Sequence, residues 1–135
     1  MTTAISANVI GRLASELRSI SSAPKQGDEG APDAWLELAP DYVEGLAGIR
    51  PGDWLVILTW LHQARRDLLK VYPRGDHNLP ITGVFATRSP HRPNPIGIHR
   101  VEVLAIEDNR IRVGPVEAID GTPVLDVKIS LRTDE

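Results

Sequence analysis

The stretch Gly83-Val-Phe-Ala-Thr-Arg-Ser-Pro-His-Arg-Pro-Asn-Pro-Ile-Gly97 carries the strongest structural signal in this sequence. Apolar residues lead into it and out of it, and three prolines occupy its second half. Because proline has a fixed φ and no N–H to donate, these prolines exclude regular structure and predict a rigid loop between two strands. A loop that is rigid in advance loses less conformational entropy when it binds a ligand.

The side chains of this loop are suited to binding. Arg88 and Arg92 each carry a planar guanidinium that can bind a carboxylate or a phosphate through two parallel hydrogen bonds. Asn94 offers both a donor and an acceptor. The alternative is a stiff surface turn whose arginines are solvated. The number of prolines and polar side chains in so short a segment favours the binding loop.

Short apolar segments separated by turns continue on both sides of the loop. Residues 54–61 are apolar almost throughout, which is typical of a strand buried on both faces. Residues 98–106 and 110–113 flank a turn and predict a hairpin. Further predicted elements are strands near residues 9–13, 35–38, 68–71 and 81–87, a two-turn helix over 40–47 that ends at Gly48, and a long loop over 21–33.

The last predicted strand follows the turn at Asp120-Gly121. Strict alternation there places Val124, Asp126 and Lys128 on one face and Val127 on the other. With 11 glycines and 11 prolines in the chain, the whole pattern predicts an all-β fold. We expect a small single β-barrel with short helical segments and long loops, because closure of the sheet removes exposed strand edges.

Length and composition narrow the class of protein further. A chain of 135 residues predicts one domain, residues 1–135, without an accessory domain at its C-terminal end. The absence of cysteine excludes disulfides and thiolate metal sites, and the histidines lack metal-ligand spacing. No apolar run approaches the roughly 20 residues of a membrane span, and the chain does not start like a secretory signal. We therefore expect a cytoplasmic protein that binds neither metal nor membrane.

Charge is distributed unevenly along the chain. The net charge of −3 argues mildly against a nucleic-acid partner. Residues 61–100, however, contain seven arginines and lysines and only two acidic residues. Such segregation predicts one positive face on an acidic protein. The alternative for each arginine is a solvated position on a strand.

Three further motifs accompany the proline-rich stretch. They are Ala23-Pro-Lys-Gln-Gly27, Trp60-Leu-His-Gln63 and Asp120-Gly-Thr-Pro-Val-Leu-Asp-Val-Lys128. The four motifs in this order resemble the signature of the TsaA/TrmO-like (YaeB-like) family of S-adenosylmethionine-dependent tRNA methyltransferases. The resemblance covers roughly residues 9–128, which is nearly the whole chain.

The resemblance implies both a fold and an activity. Members of this family are similar in having a small β-barrel, usually a homodimer, that binds S-adenosylmethionine. Their best-known substrate is N6-threonylcarbamoyladenosine at position 37 of tRNA, which they methylate. The cofactor could not be inferred from motif alone, because the sequence has no Gly-x-Gly-x-x-Gly segment that opens a helix.

The resemblance also implies which residues bind the cofactor. They are Gln26, Gly27, Asp28, Glu29, His62, Gln63, Arg88, Ile98, Gly114, Pro115, Val116 and Glu117. We expect the Arg88 guanidinium to pair with the methionine carboxylate. On spacing alone, His62 would be a core histidine satisfied by the backbone.

Residues that meet the acceptor are predicted next. For substrate binding they are Arg92, Asn94, Tyr72, Arg74 and Lys128, with Tyr72 placed to stack on an unpaired base. The acceptor nitrogen is a poor nucleophile, so a base should help. Asp126 is the first candidate, and Glu117 and His62 are the others. The alternative for Asp126 and Lys128 is a simple ion pair.

The sequence departs from the family pattern in three places. Ala14-Ser15-Glu16 stands where many members have Arg-Ser-Pro, Lys128-Ile129-Ser130 replaces the common Lys-Pro-Tyr, and the further C-terminal domain of the tRNA-acting bacterial members is missing. Two alternatives follow. One is a methyltransferase of the same fold that acts on another RNA or on a small molecule. The other is a non-catalytic S-adenosylmethionine-binding protein.

Overall fold

The structure is a computed structural model that describes residues 3–16 and 32–131. Eight strands lie within these residues: β1 Gly11–Ala14, β2 Ala34–Leu38, β3 Trp54–Trp60, β4 Lys70–Val71, β5 Thr82–Gly83, β6 Ile96–Glu107, β7 Arg110–Gly114 and β8 Pro123–Ile129. Three short 3-10 helices accompany them: η1 Pro40–Leu46, η2 Pro73–Gly75 and η3 Val84–Ala86. Most of the predicted 21–33 loop lies outside the described residues.

Six of the strands close into a barrel in the order β1-β2-β7-β6-β3-β8. Every pair is antiparallel, and β8 returns to β1 through Gly11↔Val124 and Arg12↔Pro123. The predicted all-β barrel with short helical segments is confirmed. The predicted hairpin is also confirmed, since β6 and β7 are joined by a turn at Asp108, whose φ is 49°.

The hydrophobic core fills the interior of the barrel. Alternate residues of each strand point inward, as Leu55 and Ile57 do on β3 and Val101 and Val103 do on β6, and all four are at most 1% exposed. Burial of such aliphatic side chains stabilises the fold by roughly 1.5–3 kcal/mol each. Strand β3 is paired along both edges, with β6 and with β8, and its outward-facing Val56 is only 8% exposed, so burial on both faces accounts for the nearly unbroken apolar sequence of this strand.

Strand β8 departs from the predicted alternation. Its register with β3 shifts between Leu58 and Thr59, which pair with Asp126 and Val124. The residue between them is thus inserted, as in a β-bulge, and such an insertion resets which face the following side chains occupy. Val124 and Val127 therefore both pack against the core, so their predicted placement on opposite faces is wrong.

The segment between β3 and β6 contains only two-residue strands and three-residue 3-10 helices. The predicted strand over 81–87 is wrong beyond Gly83, because β5 pairs with only the two residues of β4 and the chain continues from Val84 as the 3-10 helix η3. The helix predicted over 40–47 is present as the 3-10 helix η1 and buries none of its residues. Gly48 follows it with φ of 95°, a left-handed conformation that favours glycine.

Candidate functional site

A cavity of about 500 Å³ opens at the end of the barrel where β3 ends and β6 begins. Its walls come from the 61–63 turn, the segment 71–75, the proline-rich loop, the first residues of β6 and the segment 117–119. The apolar side chains among them include Leu61, Val71, Ile96, Ile98, Ala118 and Ile119. This volume lies within the range of small-molecule sites, roughly 300–1,000 Å³.

Arginine side chains hold the proline-rich loop in place. The Arg92 guanidinium donates to the carbonyl oxygens of Ser89 at 2.9 Å and Thr87 at 3.3 Å. Arg66 donates to the Pro93 carbonyl at 2.8 Å and to Asn94 Oδ1 at 3.3 Å, and its guanidinium lies 4.9 Å from the centre of the Trp60 ring. These bonds satisfy loop carbonyls that have no hydrogen-bond partner in a neighbouring strand.

The turn that follows β3 is tied to the same loop. The Arg65 N–H donates to His91 Nδ1 at 3.0 Å, and its side chain forms an exposed ion pair with Asp67 at 2.8 Å. The hydrogen bond from Arg65 holds the pKa of the Asp67 carboxyl below its usual value, and the same bond raises the pKa of Arg65. Because both groups are exposed, the pair contributes little to stability.

A buried polar chain underlies the cavity. The fully buried Thr59 hydroxyl lies 2.7 Å from His99 Nε2, and His99 Nδ1 lies 2.9 Å from Glu117 Oε1. His99 is 5% exposed, whereas the Glu117 side chain, at 23%, borders the cavity. A Cβ on Gly97 would come within 2.5 Å of the Thr59 hydroxyl and 2.7 Å of His99 Nε2. The absence of a side chain at Gly97 therefore allows the Thr59 hydroxyl and His99 Nε2 to form their hydrogen bond.

An aromatic pair lies at the rim. The rings of Tyr72 and His77 stack with their centres 4.0 Å apart, and Tyr72 also lines the cavity. Next to it, Arg74 has a left-handed φ of 55° and lines the cavity as well. This part of the cavity wall thus contains both an aromatic residue and an arginine.

The structure brings seven of the predicted site residues to the cavity. They are Gln63, Tyr72, Arg74, Arg88, Arg92, Ile98 and Glu117. His62 is exposed in the turn and is not among the lining residues, and Asn94 binds Arg66 instead. Gln26, Gly27, Asp28 and Glu29 lie outside the described residues.

The remaining predicted residues lie elsewhere on the barrel. Gly114 and Val116 are buried, and Pro115 is exposed after a cis peptide bond. Of the four residues predicted over 114–117, only Glu117 lines the cavity. Asp126 pairs with Leu58 on the outer surface of the barrel and forms an ion pair with Lys128 at 3.2 Å. The geometry separates this pair from the cavity lining.

Sequence reasoning missed the deeper part of the site. Thr59 and His99 were not selected because each lies within an apolar strand, where a polar residue is most simply explained by local packing. A polar residue at an inward position of a buried strand was nevertheless a usable signal, since buried polar groups need partners. Nothing in the sequence marks Ala118 and Ile119 as site residues, because apolar residues occur throughout the chain.

The described part of the chain is also informative in what it lacks. Within residues 3–16 and 32–131, no group of three or more His, Asp or Glu side chains is placed to hold a metal ion. No helix in the same residues is long and apolar enough to span a membrane.

A closed β-barrel with a cavity at one end, walled by apolar and guanidinium side chains, defines a small-molecule-binding barrel protein. The chain belongs to the family of the tRNA-methyltransferase O N-terminal domain, which residues 12–133 match.

Similar proteins come from both archaea and bacteria. A probable S-adenosyl-L-methionine-binding protein of Methanocaldococcus jannaschii is 46% identical over 98 residues, which cover 70% of this chain and 78% of the relative. An S-adenosyl-L-methionine-binding protein of Archaeoglobus fulgidus is 40% identical over 119 residues, covering 88% of this chain and 84% of the relative.

A crystal structure of TrmO from Pseudomonas aeruginosa superposes on the chain with a TM-score of 0.76 at 32% identity. The match covers 96% of this chain and 57% of the TrmO chain. The chain therefore spans little more than half the length of that solved relative.

Proposed function

We propose that this protein binds S-adenosylmethionine in the cavity and transfers its methyl group to an adenosine of tRNA. The observation that carries the proposal is the composition of the cavity wall. Three arginines, Arg74, Arg88 and Arg92, line it together with a single carboxylate, Glu117, and a set of aliphatic side chains. The names of the archaeal relatives point to the same ligand.

The chemistry of these side chains fits the cofactor. Its methionine part carries a carboxylate, which the Arg88 guanidinium can bind through two hydrogen bonds. Its adenine is a flat, largely apolar ring, for which Leu61, Ile98 and Ile119 provide contacts. Its sulfonium is a cation, and Glu117 is the one acidic residue among the described residues that line the cavity.

The chain's own contribution to the reaction is positioning. When bound, the cofactor supplies a methyl group on a carbon that the positive sulfur already activates. Holding two reactants in the correct geometry can lower a barrier by roughly 7–11 kcal/mol. The proline-rich loop suits this task because its backbone is fixed by the hydrogen bonds of Arg66 and Arg92.

The acceptor in this proposal is the N6 nitrogen of threonylcarbamoyladenosine at position 37 of tRNA. Its bond to the methyl carbon forms as the carbon–sulfur bond breaks, and the nitrogen gives up its proton to a base, for which Glu117 is the predicted candidate that lines the cavity. Tyr72 and Arg74 support it, because an aromatic ring beside a guanidinium at the cavity rim can stack on an unpaired base and bind its phosphate. The excess of arginine and lysine over residues 61–100 would attract the phosphate backbone.

The proposal also includes a homodimer that works in the cytoplasm. Outward-pointing Ile96, Ile98 and Leu104 of β6 are each more than 40% exposed, and a second copy of the chain could cover them. Association would also enclose the open side of the cavity. Sedimentation of the pure protein tests this part separately from the activity.

Two measurements test the activity. Calorimetry with S-adenosylmethionine should detect one binding event per chain, and mass spectrometry of tRNA nucleosides should find methylated threonylcarbamoyladenosine only in cells that contain the gene. Absence of binding by the folded protein would refute the proposal as a whole. Binding without a change in the nucleosides would refute the acceptor alone.

Binding without catalysis is the second candidate. The names of the archaeal relatives favour it, since they refer to S-adenosylmethionine binding and not to methyl transfer. Incubation with labelled cofactor distinguishes the two. A methyltransferase moves label into total tRNA or into a small-metabolite extract, whereas a binding protein labels neither.

A further inference from the structure

The Thr59–His99–Glu117 chain has the connectivity of a hydrolase triad, but its burial is reversed. A hydroxyl meets Nε2 of the imidazole and a carboxylate meets Nδ1, as in a serine hydrolase. Here, however, the hydroxyl of Thr59 is 0% exposed and lies inside the barrel, while the carboxylate borders the cavity. Thr59 is therefore shielded from a ligand, whereas Glu117 and part of the His99 ring border the cavity.

The hydrogen bonds of this chain follow from its acceptors. An ionised carboxylate only accepts, so His99 Nδ1 must carry a hydrogen and donate to Glu117 Oε1. In the neutral imidazole, Nε2 is then an acceptor, and the Thr59 hydroxyl donates to it at 2.7 Å. Both ring nitrogens are satisfied, which a buried histidine requires.

The charge around Glu117 makes its placement unusual. The other charged side chains in the described cavity wall are Arg74, Arg88 and Arg92, and His91 and His99 are the titratable ones. A wall of this kind attracts the carboxylate of an amino acid but repels a cation. A ligand with a positive sulfur needs a nearby negative charge to offset this repulsion.

We propose that Glu117, held by His99 and Thr59, is the residue with which the protein distinguishes the sulfonium of S-adenosylmethionine from the neutral sulfur of the demethylated product. This inference rests on the proposed function. His99 engages Oε1, and the Glu117 side chain is still 23% exposed where it borders the cavity, so the carboxylate can face a ligand there. Thr59 and His99 are positioning residues in this inference, since Thr59 is fully buried and both ring nitrogens of His99 are used in the bonds to Thr59 and Glu117.

Such a device would have a direct consequence for turnover. The cofactor and its product, S-adenosylhomocysteine, share the adenosine, the carboxylate and the ammonium, and they differ in the charge on sulfur. A carboxylate near the sulfur therefore stabilises the bound cofactor and not the bound product. Transfer of the methyl group removes the attraction, and the product dissociates more readily.

Glu117→Gln tests the charge without disturbing the structure. Glutamine keeps the shape and an oxygen that can accept from His99 Nδ1, so the variant should fold. We expect its affinity for S-adenosylmethionine to fall about tenfold, equivalent to about 1.4 kcal/mol. Its affinity for S-adenosylhomocysteine should change less than about threefold. Calorimetry of both ligands with the full chain gives the two numbers.

The alternative outcomes of that titration are distinct. Failure of the unaltered protein to bind either ligand refutes the proposed function. Equal loss for both ligands in Glu117→Gln overturns the inference alone, because it places Glu117 at the shared ammonium. Unchanged binding of both also overturns it, because Glu117 then contacts neither.

Two variants of Thr59 test whether its hydroxyl helps to position Glu117. Thr59→Val removes the hydroxyl while nearly keeping the shape, and Thr59→Ser keeps the hydroxyl. We expect the valine variant to lose about threefold of the preference for S-adenosylmethionine over the product, and the serine variant to retain it. Equal behaviour of the two variants would show that the hydroxyl does not position Glu117.

Nitrogen NMR shows which nitrogen of the His99 imidazole carries a proton. A purely structural role for His99 would not require one particular tautomer. In the unaltered protein, the ¹⁵N shifts of His99 should show a protonated Nδ1 and an unprotonated Nε2. An Nε2–H tautomer or a doubly protonated ring would contradict the hydrogen-bond directions on which the inference depends.

Discussion

The two sides of the barrel differ in what they bury. Around β1, β2 and β7 the interior is aliphatic, with Leu13, Leu36, Ile111 and Val113 all fully buried. Where β3 and β6 meet the cavity, the interior holds a hydroxyl and an imidazole. Aliphatic burial has no direction and stabilises the fold, whereas hydrogen bonds fix the orientation of particular atoms. Strands β3 and β6 contribute to both, since Leu55 and Val101 belong to the aliphatic core while Thr59 and His99 on the same strands lie at the cavity.

The aliphatic side should show the largest effect on stability. Leu36→Ala would leave a cavity in the core cluster and should lower the free energy of unfolding by about 3 kcal/mol. Chemical denaturation measures this change. Leu69→Ala, at a position 65% exposed, is the control and should cost less than about 0.5 kcal/mol. Similar losses in the two variants would argue against the assigned core.

Gly97→Ala should affect both properties at once. The added methyl group would collide with the Thr59 hydroxyl and His99 Nε2, and we expect a loss of about 1–3 kcal/mol in stability together with weaker cofactor binding. Gly45→Ala is the matched control, because no atom lies within 4 Å of its added Cβ. Full retention of stability and binding by Gly97→Ala would contradict the tight packing around the threonine and histidine.

Arg88→Gln should affect binding more than stability. The loss of a charge-assisted bond to the methionine carboxylate predicts roughly a tenfold weaker affinity, with stability within about 0.5 kcal/mol of the unaltered protein. Arg50→Gln, an exposed arginine outside the cavity, should leave affinity unchanged. If the two variants bind equally well, the carboxylate is held elsewhere.

The smallest effect is expected on the outer surface. Asp126→Asn breaks only a half-exposed ion pair with Lys128, so stability should fall by less than about 1 kcal/mol and cofactor affinity should change less than twofold. Lys128→Gln serves as its control and should behave alike. A tenfold loss of methyl transfer in Asp126→Asn, but not in Lys128→Gln, would restore Asp126 as the candidate base.

The sequence predicted those parts of the protein that depend on local patterns. The apolar segment before Leu61, the hairpin around Asp108 and the proline-rich loop each follow from the order of residues, and the structure has all three. Strand β5 was predicted too long because its length is set by its pairing with the two residues of β4, which lie elsewhere in the chain, and the 3-10 helix η3 begins directly after Gly83.

The candidate site was also predicted only in part, because local patterns identify some of its residues and not the contacts between distant ones. Arg88, Gln63 and Glu117 lie in or next to recognisable motifs, and they do line the cavity. The pairing of Thr59 with His99 joins residues that are 40 positions apart, and no local pattern contains it. The outward position of Asp126 follows from a bulge whose register is set by the neighbouring strand.

By itself, the sequence determined that the chain is an all-β protein of a recognisable family with a rigid, arginine-bearing loop, because turns, prolines and alternating apolar residues act over a few positions. Only the tertiary structure decided that a histidine on β6 meets a threonine on β3 and a glutamate beyond β7. That contact depends on strand order and register, which arise when the whole sheet closes and each buried polar group finds its partner.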